Sequence, residues 1–166
     1  MISFRQISIE DAEHFLKLQR KLDLETSYML LKPEERRSEV SEVHQSIIET
    51  IHSNSFFIVA VNENQELVGY LSAQRGIYKK MNHTVYIVVG ILQKYQGKGI
   101  GKQFFSQLNA WTEKEKVTRL ELTVMSTNLR AIKLYEKQGF QKEGIRKKSI
   151  YQNGTYIDEY YMAKVF

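Results

Sequence analysis

The most constraining stretch of the chain runs from Thr84 to Lys102, where a nearly unbroken apolar segment, Thr84 to Leu92, leads through Gly97-Lys98-Gly99-Ile100-Gly101 into a helix. A short apolar run of this kind reads as a strand buried on both faces in the middle of a sheet. The helix that follows places Ile100, Phe104, Leu108 and Trp111 on its inner side, and Arg119 to Val124 returns as another strand. Strand, glycine turn, helix and strand make a parallel crossover unit. Whatever else the chain builds must therefore accommodate one parallel strand pair.

The flanking sequence supplies the rest of a mixed sheet. Ile2-Ser3-Phe4-Arg5 alternates as a first strand, and Ser8 with Asp11 caps a helix whose inner side is Ala12, Phe15, Leu16 and Leu18. Pro33 suits the first turn of a second helix, along which Val40, Val43, Ile47 and Ile51 recur at helical spacing. Phe56 to Val61 and Leu67 to Ala73, joined by Asn62-Glu63-Asn64-Gln65, read as a hairpin of the second and third strands. After the fifth strand, Asn128 opens a short helix that Gly139 ends, and a last hairpin turns at Asn153-Gly154. These elements predict one domain over residues 1–166, with an α/β fold of about seven strands.

Composition removes several function classes. Cysteine is absent, so the chain has no disulfide, thiolate nucleophile or thiolate metal site. His14, His44, His52 and His83 show no metal-ligand spacing, and no metal is expected. The apolar runs are too short to span a bilayer and the start lacks a secretory pattern, which points to a cytoplasmic protein without a membrane partner. The net charge of +5 favours an anionic partner. The cations gather in the second half, at Lys94, Lys98 and Lys102, then at Arg130, Lys133, Lys137, Lys142, Arg146, Lys147 and Lys148.

Three of the nine glycines fall within five positions at the start of a helix. Such a turn directs several backbone N–H groups and the positive end of the helix dipole toward one point, which suits phosphate. A tight turn needing positive φ is the plainer explanation, and Lys98 and Lys102 weigh toward the anion site. The dinucleotide fingerprint does not fit, because the spacing is G-x-G-x-G and four strands precede it. A P-loop does not fit either, since Gln96 stands five residues before Gly101 where a glycine is needed, and Gln103 follows Lys102.

Gln96-x-x-Gly99-x-Gly101 after an apolar strand resembles the acetyl-CoA pyrophosphate motif of the GNAT N-acetyltransferase superfamily. Asn128 to Phe140, reading NLRAIKLYEKQGF, is similar to that superfamily's second signature and stands in the same order after the fifth strand. The resemblance implies a mostly antiparallel sheet whose fourth and fifth strands, the parallel pair, splay around acetyl-CoA, with helices on both faces. It implies that Gln96, Gly97, Lys98, Gly99, Ile100, Gly101 and Lys102 hold the pyrophosphate by their N–H groups, and that Val89, Gly90 and Ile91 pair with the pantetheine arm. A backbone N–H of the fourth strand would stabilise the oxyanion.

The same resemblance assigns the side-chain chemistry. Asn128 and Tyr135 are seven positions apart, roughly 10 Å along one helix face. Asn128 would grip a pantetheine amide, and Tyr135 would protonate the departing thiolate. A helix cap and a core tyrosine are the plain alternatives. Gly90 is read either as the site of a strand bulge that opens the splay or as a small residue tolerated in a core strand.

The acceptor side is less marked. The ribosomal-protein alanine acetyltransferases carry a strand-5 glutamate where this chain has Thr123, a departure from that subgroup. Glu121 shares the strand face of Thr123 and is a candidate base, with a solvated strand-end carboxylate as the plainer reading; His83 begins the fourth strand and could assist proton removal through water, with a structural place as the plainer reading. Glu25 and Tyr28 lie between the first two helices, where this fold roofs the acceptor, and are substrate-side candidates. Glu159 reads as an amine-binding carboxylate or as a solvated charge on an edge strand. The ending resembles bacterial amino-acid and small-amine acetyltransferases, so the expected partner is a small-molecule amine, with no nucleic acid, in a chain that could form a homodimer. Protein N-terminal or lysine acetylation is the alternative within the class, and a CoA-sensing or nucleic-acid-binding module the alternative outside it.

Overall fold

A computed structural model describes residues 1–166. Seven strands form one sheet: β1 (Ser3–Gln6), β2 (Phe56–Val61), β3 (Leu67–Arg75), β4 (Thr84–Ile91), β5 (Arg119–Met125), β6 (Gln141–Gln152) and β7 (Thr155–Val165). Their order across the sheet is β1-β2-β3-β4-β5-β7-β6. Only the β4–β5 pair is parallel, and the crossover between them is α3 (Ile100–Glu115). The other helices are α1 (Ala12–Glu25), α2 (Val40–His52) and α4 (Leu129–Lys137).

The sheet separates two apolar layers. On one side Phe15 of α1 packs edge-on against Phe57 and Tyr70, with ring centres 5.1 and 4.9 Å apart. On the other, Phe104 of α3 meets Phe4 at 5.6 Å and Phe105 meets Tyr135 of α4 at 6.0 Å. Ile100, Phe104 and Leu108 are buried as their spacing predicts, while Trp111 is only half-buried, against Phe56 and beneath the Arg75 guanidinium. No helix is long and apolar enough to cross a membrane.

The N-terminal caps follow local chemistry. Asp11 accepts the Ser8 N–H at 2.8 Å and receives both arms of the Arg5 guanidinium at 2.7 and 2.8 Å, closing a short 3-10 turn, Ile9–Asp11, ahead of α1. Asn153 and Gly154 both take positive φ, 51° and 73°, which gives the tight hairpin turn between β6 and β7.

Three local expectations are corrected. Pro33 does not open α2. It begins a separate 3-10 turn, Pro33–Glu35, whose Glu35 carboxylate accepts the Lys32 N–H, and α2 starts at Val40 with the Glu42 carboxylate accepting the Glu39 N–H. Only Val43 and Ile47 of the predicted α2 stripe are buried; Val40 and Ile51 are exposed. Nor is β4 buried on both faces. Val85 and Ile87 are covered by the α3 layer, but Tyr86 and Val88 are 41% and 38% exposed on the opposite face. The reason is that α1 and α2 lie over β2 and β3 and leave the β4, β5 and β7 part of that face open.

Candidate active site

The parallel pairing of β4 and β5 is short. It runs Thr84↔Arg119, Val85↔Leu120 and Tyr86↔Glu121, then stops, although β4 continues to Ile91 and β5 to Met125. Beyond Tyr86 the strands diverge, leaving a wedge that opens toward their C-terminal ends.

Backbone polarity inside the wedge follows from the other edge of β4. Thr84 accepts from Gly76 and Leu92 donates to Val68, so even-numbered residues of β4 spend their polar groups on β3. Alternation then turns the N–H and C=O groups of Ile87, Val89 and Ile91 toward the wedge. The Ile91 carbonyl accepts the Gln96 Nε2 at 3.1 Å, in keeping with that direction.

Gly90 is not a bulge. Its register with Tyr70 is regular. A Cβ there would come within 2.7 Å of Leu22 Cδ1 and 2.8 Å of Tyr70 Cε1, so any side chain at this position would have to push Leu22 or Tyr70 aside. The wedge opens although neither strand is interrupted: β4 keeps its register with β3, and β5 keeps its register with β7. Tyr70 is buried, and that burial pushes its phenol up to about 12.

At the open end stands the glycine turn. Gly97 and Gly99 have φ of 73° and 81°, a region closed to most side chains. No N–H from Gly97 through Lys102 has an acceptor within the chain, while the Gln96 N–H bonds to Gln93 O; the free run begins one residue later than the motif implies. A Cβ on Gly99 would meet nothing within 4 Å, so the cup is open to solvent at that point. Gly101 serves a different end, since its Cβ would reach 2.8 Å from Leu134 Cδ2 where α3 packs on α4.

Arg130, not singled out as a site residue by sequence, stands at the lip of this cup. Its Nη1 donates to Gln96 Oε1 at 3.0 Å, and Nη2 lies 3.1 Å from where a Gly97 side chain would begin. Its place in the first turn of α4, two residues after Asn128, was the available signal. Lys98 and Lys102 are exposed alongside it.

Asn128 caps α4, its Oδ1 accepting the Ala131 N–H at 3.3 Å. Tyr135 is buried, packed on Phe105 and Phe140. Burial first, then the neighbouring Tyr86 and Tyr70 phenols, holds its hydroxyl well above the usual phenol range. That hydroxyl has no hydrogen-bond partner in the chain and is not fully enclosed. Burial thus favours the protonated phenol, and the hydroxyl has a free direction in which to donate.

The wedge is also a hole through the sheet, with different groups at its two faces. On the α1 side, the Tyr86 hydroxyl and Thr123 Oγ1 lie 2.7 Å apart, tying β4 to β5 just where their backbones part. Glu121 is not free in solvent; it accepts Arg119 Nε at 2.7 Å. Glu159 lies on β7, an interior strand, with a mostly buried carboxylate bonded to Arg146 at 3.2 Å, so the solvated edge-strand reading is overturned. His83 sits at the closed end of the wedge, its carbonyl accepting from Thr118 and Arg119.

Glu25 and Tyr28 span the wedge mouth. The Glu25 carboxylate accepts the Gln93 N–H at 2.9 Å, just beyond β4, and the Tyr28 hydroxyl donates to Thr127 O at 3.1 Å, just beyond β5. The segment between them is a strap joined to both diverging strands.

The strand wedge with unpaired backbone groups ends in a cup of free N–H groups, an arrangement suited to an extended, phosphate-bearing ligand. The chain belongs to the acetyltransferase (GNAT) family, whose model matches residues 20–140; members of this family are acetyl-CoA-dependent acyltransferases. It is similar to the L-amino acid N-acetyltransferase AaaT of Escherichia coli, 32% identical over 104 residues that cover 60% of this chain and 62% of that protein. The fold matches an acetyltransferase of the GNAT family from Streptococcus pneumoniae with a TM-score of 0.94, 24% identity and full coverage of both chains. It also matches yncA of Salmonella typhimurium, described as a putative acetyltransferase with its cofactor acetyl-CoA, with a TM-score of 0.86, 18% identity and coverage of 99% and 93%.

Proposed function

We propose that this chain is a cytoplasmic N-acetyltransferase that moves acetyl from acetyl-CoA directly to a primary amine of a small molecule or amino acid. The observation that carries the reading is the run of acceptor-free N–H groups from Gly97 through Lys102 at the open end of the wedge. A diphosphate satisfies such groups without any side chain. The name of the Escherichia coli relative supports an amino-acid acceptor.

Acetyl-CoA supplies the activated acyl group and a thiolate leaving group. The chain's residues do the rest. The cup, with Arg130, Lys98 and Lys102 around it, holds the diphosphate. Val89 and Ile91 offer the wedge-facing N–H and C=O groups that pair with the pantetheine amides, with Gly90 keeping β4 seated between them, and Asn128 takes one more amide. One of the same N–H groups would be placed to donate to the thioester oxygen.

In the transfer a C–N bond forms and the C–S bond breaks. Tyr135 would give its proton to the leaving sulfur and regain one from solvent, while the ammonium would lose one proton before attack and the nitrogen a second as the C–N bond forms, so that each cycle releases one net proton on the α1 side. Tyr86, tied to Thr123, marks where that amine enters, beneath the strap of Glu25 and Tyr28. Release of free thiol from acetyl-CoA, followed against a panel of amines, tests the reading. Turnover only with water, or none at all, contradicts it.

A further inference from the structure

The open floor beside the wedge carries information about the acceptor. Thr123, Tyr161 and Gly144 form one row across β5, β7 and β6, and Met125, Glu159 and Arg146 form the next. Two guanidinium groups stand on this floor. Arg119 has no free nitrogen: Nε donates to Glu121, and Nη1 and Nη2 donate to the two oxygens of Glu143.

Arg146 is not saturated. Its one hydrogen bond runs from Nη1 to Glu159 Oε1 at 3.2 Å, and its guanidinium carbon lies 5.7 Å from the centre of the Tyr161 ring. The side chain is 45% exposed, and Nε and Nη2 have no acceptor. Glu159, only 12% exposed, fixes the group in place while using one N–H of five. What remains is a planar donor fork, the shape that receives a carboxylate in two parallel bonds. By contrast, Glu121, Glu143 and Glu159 are each committed to an arginine, and Glu25 to a backbone N–H. This floor holds no free carboxylate for a second ammonium of the kind a polyamine carries.

The geometry points to Arg146 as the anchor for a carboxylate on the acceptor, which makes free α-amino acids the acceptor class. This rests on the acetyl-transfer reading above. Tyr161 is the direct cross-strand neighbour of Thr123, with Cβ atoms about 5 Å apart. A guanidinium folded onto the Tyr161 ring therefore stands within about two strand spacings, ~10 Å, of the wedge. An α-amino acid covers that span with a hydrogen bond at its carboxylate end and its amine at the thioester.

The test compares an amino acid with its carboxamide, for wild type and Arg146→Gln, using acetyl-CoA at saturation. Wild type is expected to prefer the free acid by roughly tenfold or more in kcat/KM, as for a hydrogen-bonded charge pair. Arg146→Gln should lose that preference through KM of the acid, with turnover of the amide unchanged. The wild-type comparison stands even if the variant folds poorly. Equal use of acid and amide by wild type, or a uniform loss across both acceptors in a folded variant, would overturn the inference. Transfer to no amine of either kind would instead overturn the acetyl-transfer reading on which it rests.

Discussion

Tyr86 and Glu121 are the last residues of β4 and β5 that face each other in register. From that pair onward the two strands share no ladder, and the Tyr86 hydroxyl reaches Thr123 instead, 2.7 Å away. A side-chain bond replaces the next backbone bonds and sets the apex of the wedge. Tyr86→Phe removes this tie at an exposed position, so the melting temperature should change little while kcat/KM for the amine falls. Unaltered kinetics would show that the tie has no part in acceptor placement.

Tyr135→Phe should lower kcat while leaving the affinity for acetyl-CoA nearly intact, because the ring packing survives and only the proton donor is lost. Burial holds the phenol above its ordinary value of 10.0, so loss of this donor should produce no alkaline fall in kcat below about pH 10. A pH–rate profile of wild type beside the variant checks both points. Equal losses in affinity and turnover would make Tyr135 structural.

Gly99 and Gly101 separate ligand from packing. An added Cβ at Gly99 meets no atom within 4 Å, so the cost of Gly99→Ala to the fold is the positive φ alone, while its methyl group stands in the cup. Coenzyme A affinity should drop sharply. Gly101→Val forces Leu134 aside and should cost about 1–3 kcal/mol of stability. Titration calorimetry and thermal melts on both variants distinguish the two effects.

Asp11 sets an acid-side limit on stability. Burial alone would raise its pKa, but the Arg5 fork and the Ser8 N–H outweigh it and hold the carboxyl below its ordinary value of 3.8. A folded-state pKa below the unfolded one means that the contribution is present above the unfolded pKa and is lost as pH falls through the folded one. Asp11→Asn should therefore melt lower than wild type at neutral pH. That gap should close as the pH is taken below about 3.8 toward the folded value, and a gap independent of pH would contradict the account.

The crossover and the glycine turn were legible because their signals are local: an apolar run, glycines at fixed offsets and a helical stripe. The caps at Ser8 with Asp11 and at Asn128 are equally local. What sequence could not supply depends on where one strand leaves another. The exposure of Tyr86 and Val88 follows from α1 and α2 covering only part of a face, which no pattern within β4 encodes. A side chain at Gly90 would have to push aside Leu22 or Tyr70, contacts distant in the chain, so bulge and packing looked alike from the strand alone. Arg130, Thr123 and Arg146 sit on ordinary strand and helix positions, and their importance lies in what the sheet order brings beside them.

The central claim is that backbone N–H groups from Gly97 through Lys102 bind a diphosphate at the end of the wedge. Titration calorimetry of the wild-type protein with coenzyme A, alongside pantetheine lacking the nucleotide diphosphate, tests it most directly. The account predicts one-to-one binding of coenzyme A and affinity for pantetheine weaker by at least an order of magnitude, as expected when charge-assisted bonds to phosphate are lost. No heat with coenzyme A, or equal affinity for the two compounds, would contradict it.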